Sequence, residues 1–214
     1  IVVETVWARQ SDFIIRLYQL GVGKYIDYTA DHYMDDDRIS IINRQLDKVG
    51  RNMGLLNNET RCDSCGTLGQ VDEETRREAA RNLIRNYIYG NANGVLRIYN
   101  FILTGNTWRS WGQIGPDDTP KYTYSVSKTL VNRFSGAEYF TSFSPAPGIE
   151  AYAYKYFSPA RAVENGGDYI VLLVNRGDNL ENIKLFVKNP EINLIDLMDN
   201  SRKLAAESGV LKLE

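Results

Sequence analysis

Glu59 closes the run Met53-Gly54-Leu55-Leu56-Asn57-Asn58-Glu59-Thr60, where an apolar stretch gives way to two amides and a carboxylate. This is the pattern of a buried strand that delivers a polar residue to the mouth of a barrel. A carboxylate there must be hydrogen-bonded, paired or in use, because burying it uncompensated is costly. His32, the one histidine of the chain, ends another strand-like run, where it is either a satisfied structural residue or a group that hydrogen-bonds a sugar hydroxyl or orients Glu59. Tyr33 and Tyr99 also lie at or near strand ends, and Trp108 and Trp111 sit in a loop over the same rim. Such rings bind planar or sugar ligands, and they equally fill cores or cap a barrel rim. Cys62 and Cys65 have C-x-x-C spacing, which permits a redox or metal half-site. Zinc needs further ligands, so a local disulfide or two plain thiols stands beside that possibility. Asp35-Asp36-Asp37 lacks the ligand spacing of a calcium loop and reads as solvated. Asn58-Glu59-Thr60 is formally a glycosylation sequon, a use at odds with a working barrel mouth.

The elements that must position these groups follow from periodicity and turn chemistry. Residues 1–7 read as a strand. Phe13, Ile14, Leu17, Tyr18 and Leu20 have helical spacing over 11–20, with Ser11 or Asp12 as N-cap and Gly21 as stop. A strand over 24–30 leads to His32, and a second amphipathic helix spans 39–49. After the Glu59 strand, a Gly-rich loop over 62–71 precedes a helix over 72–89, whose Asp72-Glu73-Glu74 suit a helix N-terminus. A fourth strand covers 94–102, and Pro120 opens a helix to residue 134. Four strand–helix units in series argue for parallel strands with right-handed crossovers. After Gly136 the style changes to short alternating strands over 138–144, 149–158, 168–175, 182–187, 192–198 and 209–214, without helices between them. That pattern predicts an antiparallel sandwich or sheet appended to the barrel.

Composition narrows the partners. The formal net charge is −2, and no basic cluster appears, which argues against nucleic acid. No apolar run approaches the roughly 20 residues of a membrane span, and no signal-peptide pattern opens the chain. The start at Ile1-Val2-Val3, inside a strand and without Met, leads us to expect that the true N-terminus is missing.

Three stretches together carry a family likeness. Tyr25-Ile26-Asp27-Tyr28-Thr29-Ala30-Asp31-His32-Tyr33 is similar to a strand-six segment that ends in a histidine–tyrosine pair at a sugar site. Leu55-Leu56-Asn57-Asn58-Glu59-Thr60 looks like a strand seven that ends in a nucleophilic Glu. Trp111-Gly112-Gln113-Ile114-Gly115-Pro116-Asp117-Asp118-Thr119-Pro120-Lys121-Tyr122 is similar to the run that follows strand eight. In this order the chain resembles the C-terminal half of retaining (β/α)8-barrel glycoside hydrolases, notably xylosidase- and iduronidase-like members. There are departures. Asn58 stands where the family has Thr or Ser, and Tyr99, Phe101 and Trp108 replace the usual strand-eight tryptophan. The strand-four Asn-Glu pair is not recognisable, and Glu4 fits strand five.

The resemblance implies an α/β plus all-β chain. Residues 1–136 would be strands five to eight of a TIM barrel, and 137–214 a small antiparallel β-sandwich. It implies Glu59 as nucleophile, and His32, Tyr33, Asn58, Tyr99, Trp108 and Trp111 as substrate-binding residues. The acid/base Glu would lie in a missing N-terminal barrel half, so the fragment alone would be inactive. The substrate would be a glycoside, oligosaccharide or polysaccharide, with no cofactor, no metal and no membrane partner. The compartment stays open, and export would fit a polysaccharide substrate. The rival expectation is a non-catalytic carbohydrate-binding or assembly module in which Glu59 only accepts hydrogen bonds.

Overall fold

The computed structural model describes residues 2–5, 11–32, 34–49, 54–60, 72–100, 103–104, 112–115, 118–175, 183–196 and 198–213. Two compact units divide the chain, residues 1–123 and 124–214. The loop expected over 62–71, with Cys62 and Cys65, lies outside the described residues.

The first unit runs β1 (Val2–Thr5), α1 (Ser11–Gln19), β2 (Tyr28–His32), α2 (Asp36–Val49), β3 (Gly54–Thr60), α3 (Glu73–Ala92) and β4 (Val95–Asn100). The four strands form one sheet in sequence order, and every neighbouring pair is parallel. Mixed α/β character with a parallel sheet is therefore the architecture of this unit. Its core is a helix-covered cluster of Tyr18, Ile26, Met34, Ile39, Ile42, Leu46, Leu55 and Val95. Burying side chains of this size contributes about 1.5–3 kcal/mol each.

Helix α3 runs on to Ala92, beyond the expected residue 89, and two other boundaries differ from the sequence expectation for reasons of local chemistry. Gly21 takes a left-handed φ of 85°, which only glycine adopts cheaply. A short 3₁₀ turn, Val22–Lys24, follows it. The strand expected from residue 24 consequently begins at Tyr28. Helix α2 begins at Asp36 rather than 39, because Asp35 caps it. The Asp35 carboxylate accepts from the Arg38 backbone N–H at 2.9 Å, and its carbonyl accepts from that of Ile39 at 3.0 Å. Of the acidic run expected as a solvated loop, Asp35 is thus a cap, whose carboxylate meets the positive end of the helix dipole, and the first turn of α2 follows it.

Helix α3 starts as expected. Asp72 accepts from the Thr75 backbone N–H at 2.8 Å, and hydrogen bonding from the Thr75 side chain first, then from its backbone N–H, holds its carboxyl below the usual range. On the same helix, burial pushes the Tyr87 phenol up to about 12. A raised folded pKa contributes stability that is complete below the unfolded value near 10 and lost as pH passes the folded one. Ultraviolet phenolate titration of the chain should therefore show a late phase near pH 12, coincident with loss of α3 helicity. A late phase in which helicity survives would contradict the assignment.

Helix α4 (Tyr122–Phe134) leads into the second unit, followed by β5 (Ala137–Ala146), β6 (Ile149–Tyr156), α5 (Pro159–Glu164) and β7 (Tyr169–Asn175). Strands β8 (Ile183–Phe186), β9 (Glu191–Ile195), β10 (Ser201–Ala205) and β11 (Val210–Leu213) complete it. They form antiparallel sheets of order β5-β6-β7, β8-β11 and β9-β10. The α4 end packs on β6. Phe134 meets the Tyr154 ring edge-on at 5.0 Å, and the Tyr156 hydroxyl donates to the Arg133 carbonyl. Asp199 accepts from Arg133 Nε at 2.8 Å. Helix α5 and strand β10 were not among the expected elements. At six residues, α5 is too short to show a helical period, and its signal is Pro159 at the helix start.

Candidate active site

Glu59 and His32 meet at the C-terminal ends of β3 and β2. His32 Nδ1 lies 3.2 Å from Glu59 Oε2, and the two side chains keep 16% and 21% of their surface exposed. The pair is thus largely buried, with part of each side chain open to solvent.

The register explains how a chain with this sequence brings them together. Thr29 shares a hydrogen bond with Tyr18 of α1, and Asp31 is ion-paired with Arg38 of α2. These alternate residues of β2 therefore face the helices, which turns Ala30 and His32 to the opposite face. In β3, Leu55 belongs to the helix-covered core, and regular alternation would send Asn57 and Glu59 the same way. The pairing shifts instead. Asp31 opposes Asn57 but His32 opposes Glu59, and on the other side Asn57 opposes Ile98 while Thr60 opposes Asn100. Both neighbours thus place one extra residue of β3 between Asn57 and Thr60. A one-residue slip reverses the facing of everything beyond it, and bulges of this kind re-aim side chains at barrel rims and active sites. Glu59 is turned to the face that carries His32, and Thr60, 3% exposed, is turned inward.

The other expected site residues divide into two sets. Asn58 lies in the bulge and is partly buried. Tyr99 is on β4, between the residues that oppose Asn57 and Thr60, and is 48% exposed. It lies on the strand next to Glu59. Tyr33, Trp108 and Trp111 lie outside the described residues. Of the run after β4, Ile114 bridges Thr104 in parallel and Pro120 antiparallel. Gln113 accepts through its carbonyl from the Lys121 N–H at 2.9 Å, so this segment closes on itself before α4.

Two residues absent from the sequence expectations stand directly behind the pair. Asp31 and Arg38 are 1% and 8% exposed. One carboxylate oxygen of Asp31 takes Arg38 Nε, and the other accepts from the His32 backbone N–H at 2.9 Å. The available signal was an acid at the end of a buried strand followed, seven residues on, by an arginine in the first turn of the next helix. Asn57, opposite Asp31 in register, is also buried, and its side-chain oxygen has no hydrogen-bond partner among the described residues.

No family model matches the sequence, and no curated protein matches it either. Solved structures do match. A family 39 glycoside hydrolase from the gut symbiont Bacteroides cellulosilyticus WH2 aligns over 94% of this chain with a TM-score of 0.64 at 15% identity. A GH30 endoxylanase from Clostridium papyrosolvens C71 aligns over 89% with a TM-score of 0.55 at 13% identity. The chain covers 45% and 46% of those two proteins, and so spans less than half the length of either. The likeness is one of fold, and the fold is glycoside-hydrolase-like.

Proposed function

We propose that this chain is the C-terminal part of a retaining O-glycoside hydrolase, with Glu59 as its nucleophile. The observation that carries the proposal is the bulge in β3, which turns Glu59 toward His32 at the C-terminal ends of adjacent parallel strands. That is the end of a β/α barrel where catalytic groups collect. In this reading, residues 1–136 are half of a catalytic barrel and 137–214 a β-sandwich domain.

The Glu59 carboxylate attacks the anomeric carbon, and the bond to the leaving-group oxygen breaks as a glycosyl ester forms. The proton that the leaving oxygen needs comes from a Glu in the barrel half that this chain does not include. The same Glu then takes a proton from water, which attacks the anomeric carbon and releases Glu59. His32 holds the Glu59 carboxylate in line through Nδ1–H. Asn58 and Tyr99 flank the nucleophile, and Tyr33, Trp108 and Trp111 complete the sugar site. Neither a metal nor an organic cofactor takes part.

Proton NMR of the first anomer released by the full-length protein tests the stereochemistry. Retention of configuration is expected, and inversion would remove Glu59 from the nucleophile role. His32→Ala is expected to lower kcat by about 10²-fold, the cost of misplacing a reacting group by about an ångström. A His32→Ala protein with wild-type kcat would show that the pairing plays no part in the reaction.

A non-catalytic carbohydrate-binding module is the second reading, favoured by exposed rings on the β5-β6-β7 sheet. Phe140 and Tyr169 lie edge to face at 5.8 Å, both with about half their surface open. Sugar binding with no hydrolysis by the full-length protein is the result that would favour it.

A further inference from the structure

We propose that the buried Asp31–Arg38 pair is the positioning element of the His32–Glu59 pair. The catalytic consequence rests on Glu59 being the nucleophile; the positioning itself does not.

Three observations converge on it. The pair is almost wholly buried, at 1% and 8% exposure. An ion pair taken this far out of water must be well hydrogen-bonded to offset its desolvation, and apolar residues of similar volume often serve stability as well or better. Stability alone therefore does not account for the pair. The second observation is its place in the backbone. The β2–β3 register shifts between Asp31 and His32, and at that step Asp31 accepts the His32 N–H at 2.9 Å. The carboxylate thus fixes the His32 backbone where the ladder is irregular. The third is the chain of contacts. Arg38 holds Asp31 from the first turn of α2, Asp31 holds the His32 backbone, and His32 Nδ1 lies 3.2 Å from Glu59. The start of α2, itself capped by Asp35, is thereby coupled to the angle at which the imidazole meets the carboxylate. Among the described residues the Asp31 and Arg38 side chains are bonded to each other and to the His32 backbone N–H, with no hydrogen bond or ion pair to Glu59, so they act through His32.

His32 is the one histidine of the chain, so nitrogen-15 histidine labelling gives a single, unambiguous ring spectrum. In the wild-type chain the neutral ring should carry its proton on Nδ1, donated to Glu59. Two double variants separate positioning from mere folding. Asp31→Leu with Arg38→Met removes the pair and its acceptor; the chain should stay folded by circular dichroism and lose the Nδ1–H preference, with both ring nitrogens shifting toward an averaged value. Asp31→Asn with Arg38→Met keeps an acceptor for the His32 N–H and should retain the preference.

Retention in the first variant, or loss in a folded second variant, overturns the proposal. If the first variant does not fold, the wild-type chain decides. A coupling through the hydrogen bond from the His32 amide nitrogen to the Asp31 carboxylate carbon supports the proposal, and its absence overturns it. In the full-length protein, the Leu/Met variant should lose about 10²-fold in kcat with KM moved far less. Loss of the ring preference without any loss of hydrolysis would leave positioning intact and remove Glu59 from catalysis. A wild-type ring with no Nδ1 preference would instead remove the His32–Glu59 contact itself.

Discussion

Glu59→Gln in the full-length protein is expected to lower kcat/KM for glycoside hydrolysis by about 10⁴-fold or more, the scale seen when a covalent nucleophile is removed. The substitution conserves shape. An amide oxygen can still accept from His32 Nδ1, now 3.2 Å from the carboxylate, so the local fold should persist and the loss is chemical. Thermal unfolding of the variant should match the wild type within a few degrees. Smaller carboxylate replacements supply a second check: with Glu59→Gly, added azide should attack the anomeric carbon from the vacated side and restore turnover as a glycosyl azide of inverted configuration. Wild-type hydrolysis by Glu59→Gln would contradict the assignment outright.

Arg38→Ala should produce the largest stability loss of any single side chain near the site. Removing one partner of a buried ion pair leaves the other charge uncompensated and costs about 3–5 kcal/mol. For a chain of this size that corresponds to a fall in Tm of roughly 10–15 °C, read by circular dichroism. Arg38 is 8% exposed and its partner Asp31 1%, so water cannot solvate the orphaned carboxylate without local opening. Asp31→Leu alone should cost a similar amount. The double change Asp31→Leu/Arg38→Met should recover most of it, because the apolar pair carries no charge to desolvate. Additive losses in the double variant would show that the two residues are not energetically coupled.

The order of strands and helices was legible in the sequence because each element announces itself locally. Gly21 stops α1, Asp72 caps α3, and the apolar run of Leu55 and Leu56 marks β3. Where the expectation slipped, a local signal of another kind had won. The cap at Asp35 drew α2 three residues earlier, and the left-handed Gly21 with its 3₁₀ turn delayed β2. Helix α5 is a single short segment whose only mark is Pro159. The position of Glu59 on a strand end was also legible, but its facing was not. Strict alternation from Leu55 would have turned it toward the helices, and only the register against both β2 and β4 reveals the extra residue that turns it back. The Asp31–Arg38 pair was hidden for the same reason: it depends on how a strand end meets a helix start, which neither segment encodes alone.

The most direct test of the central claim is covalent labelling of the full-length protein with a panel of 2-fluoro-glycoside inactivators, read by intact-protein and peptide mass spectrometry. One added glycosyl mass is expected, mapped to the peptide that contains Glu59, with the reactive member of the panel naming the sugar. A label on a different carboxylate, or none on a folded protein across the panel, would contradict it.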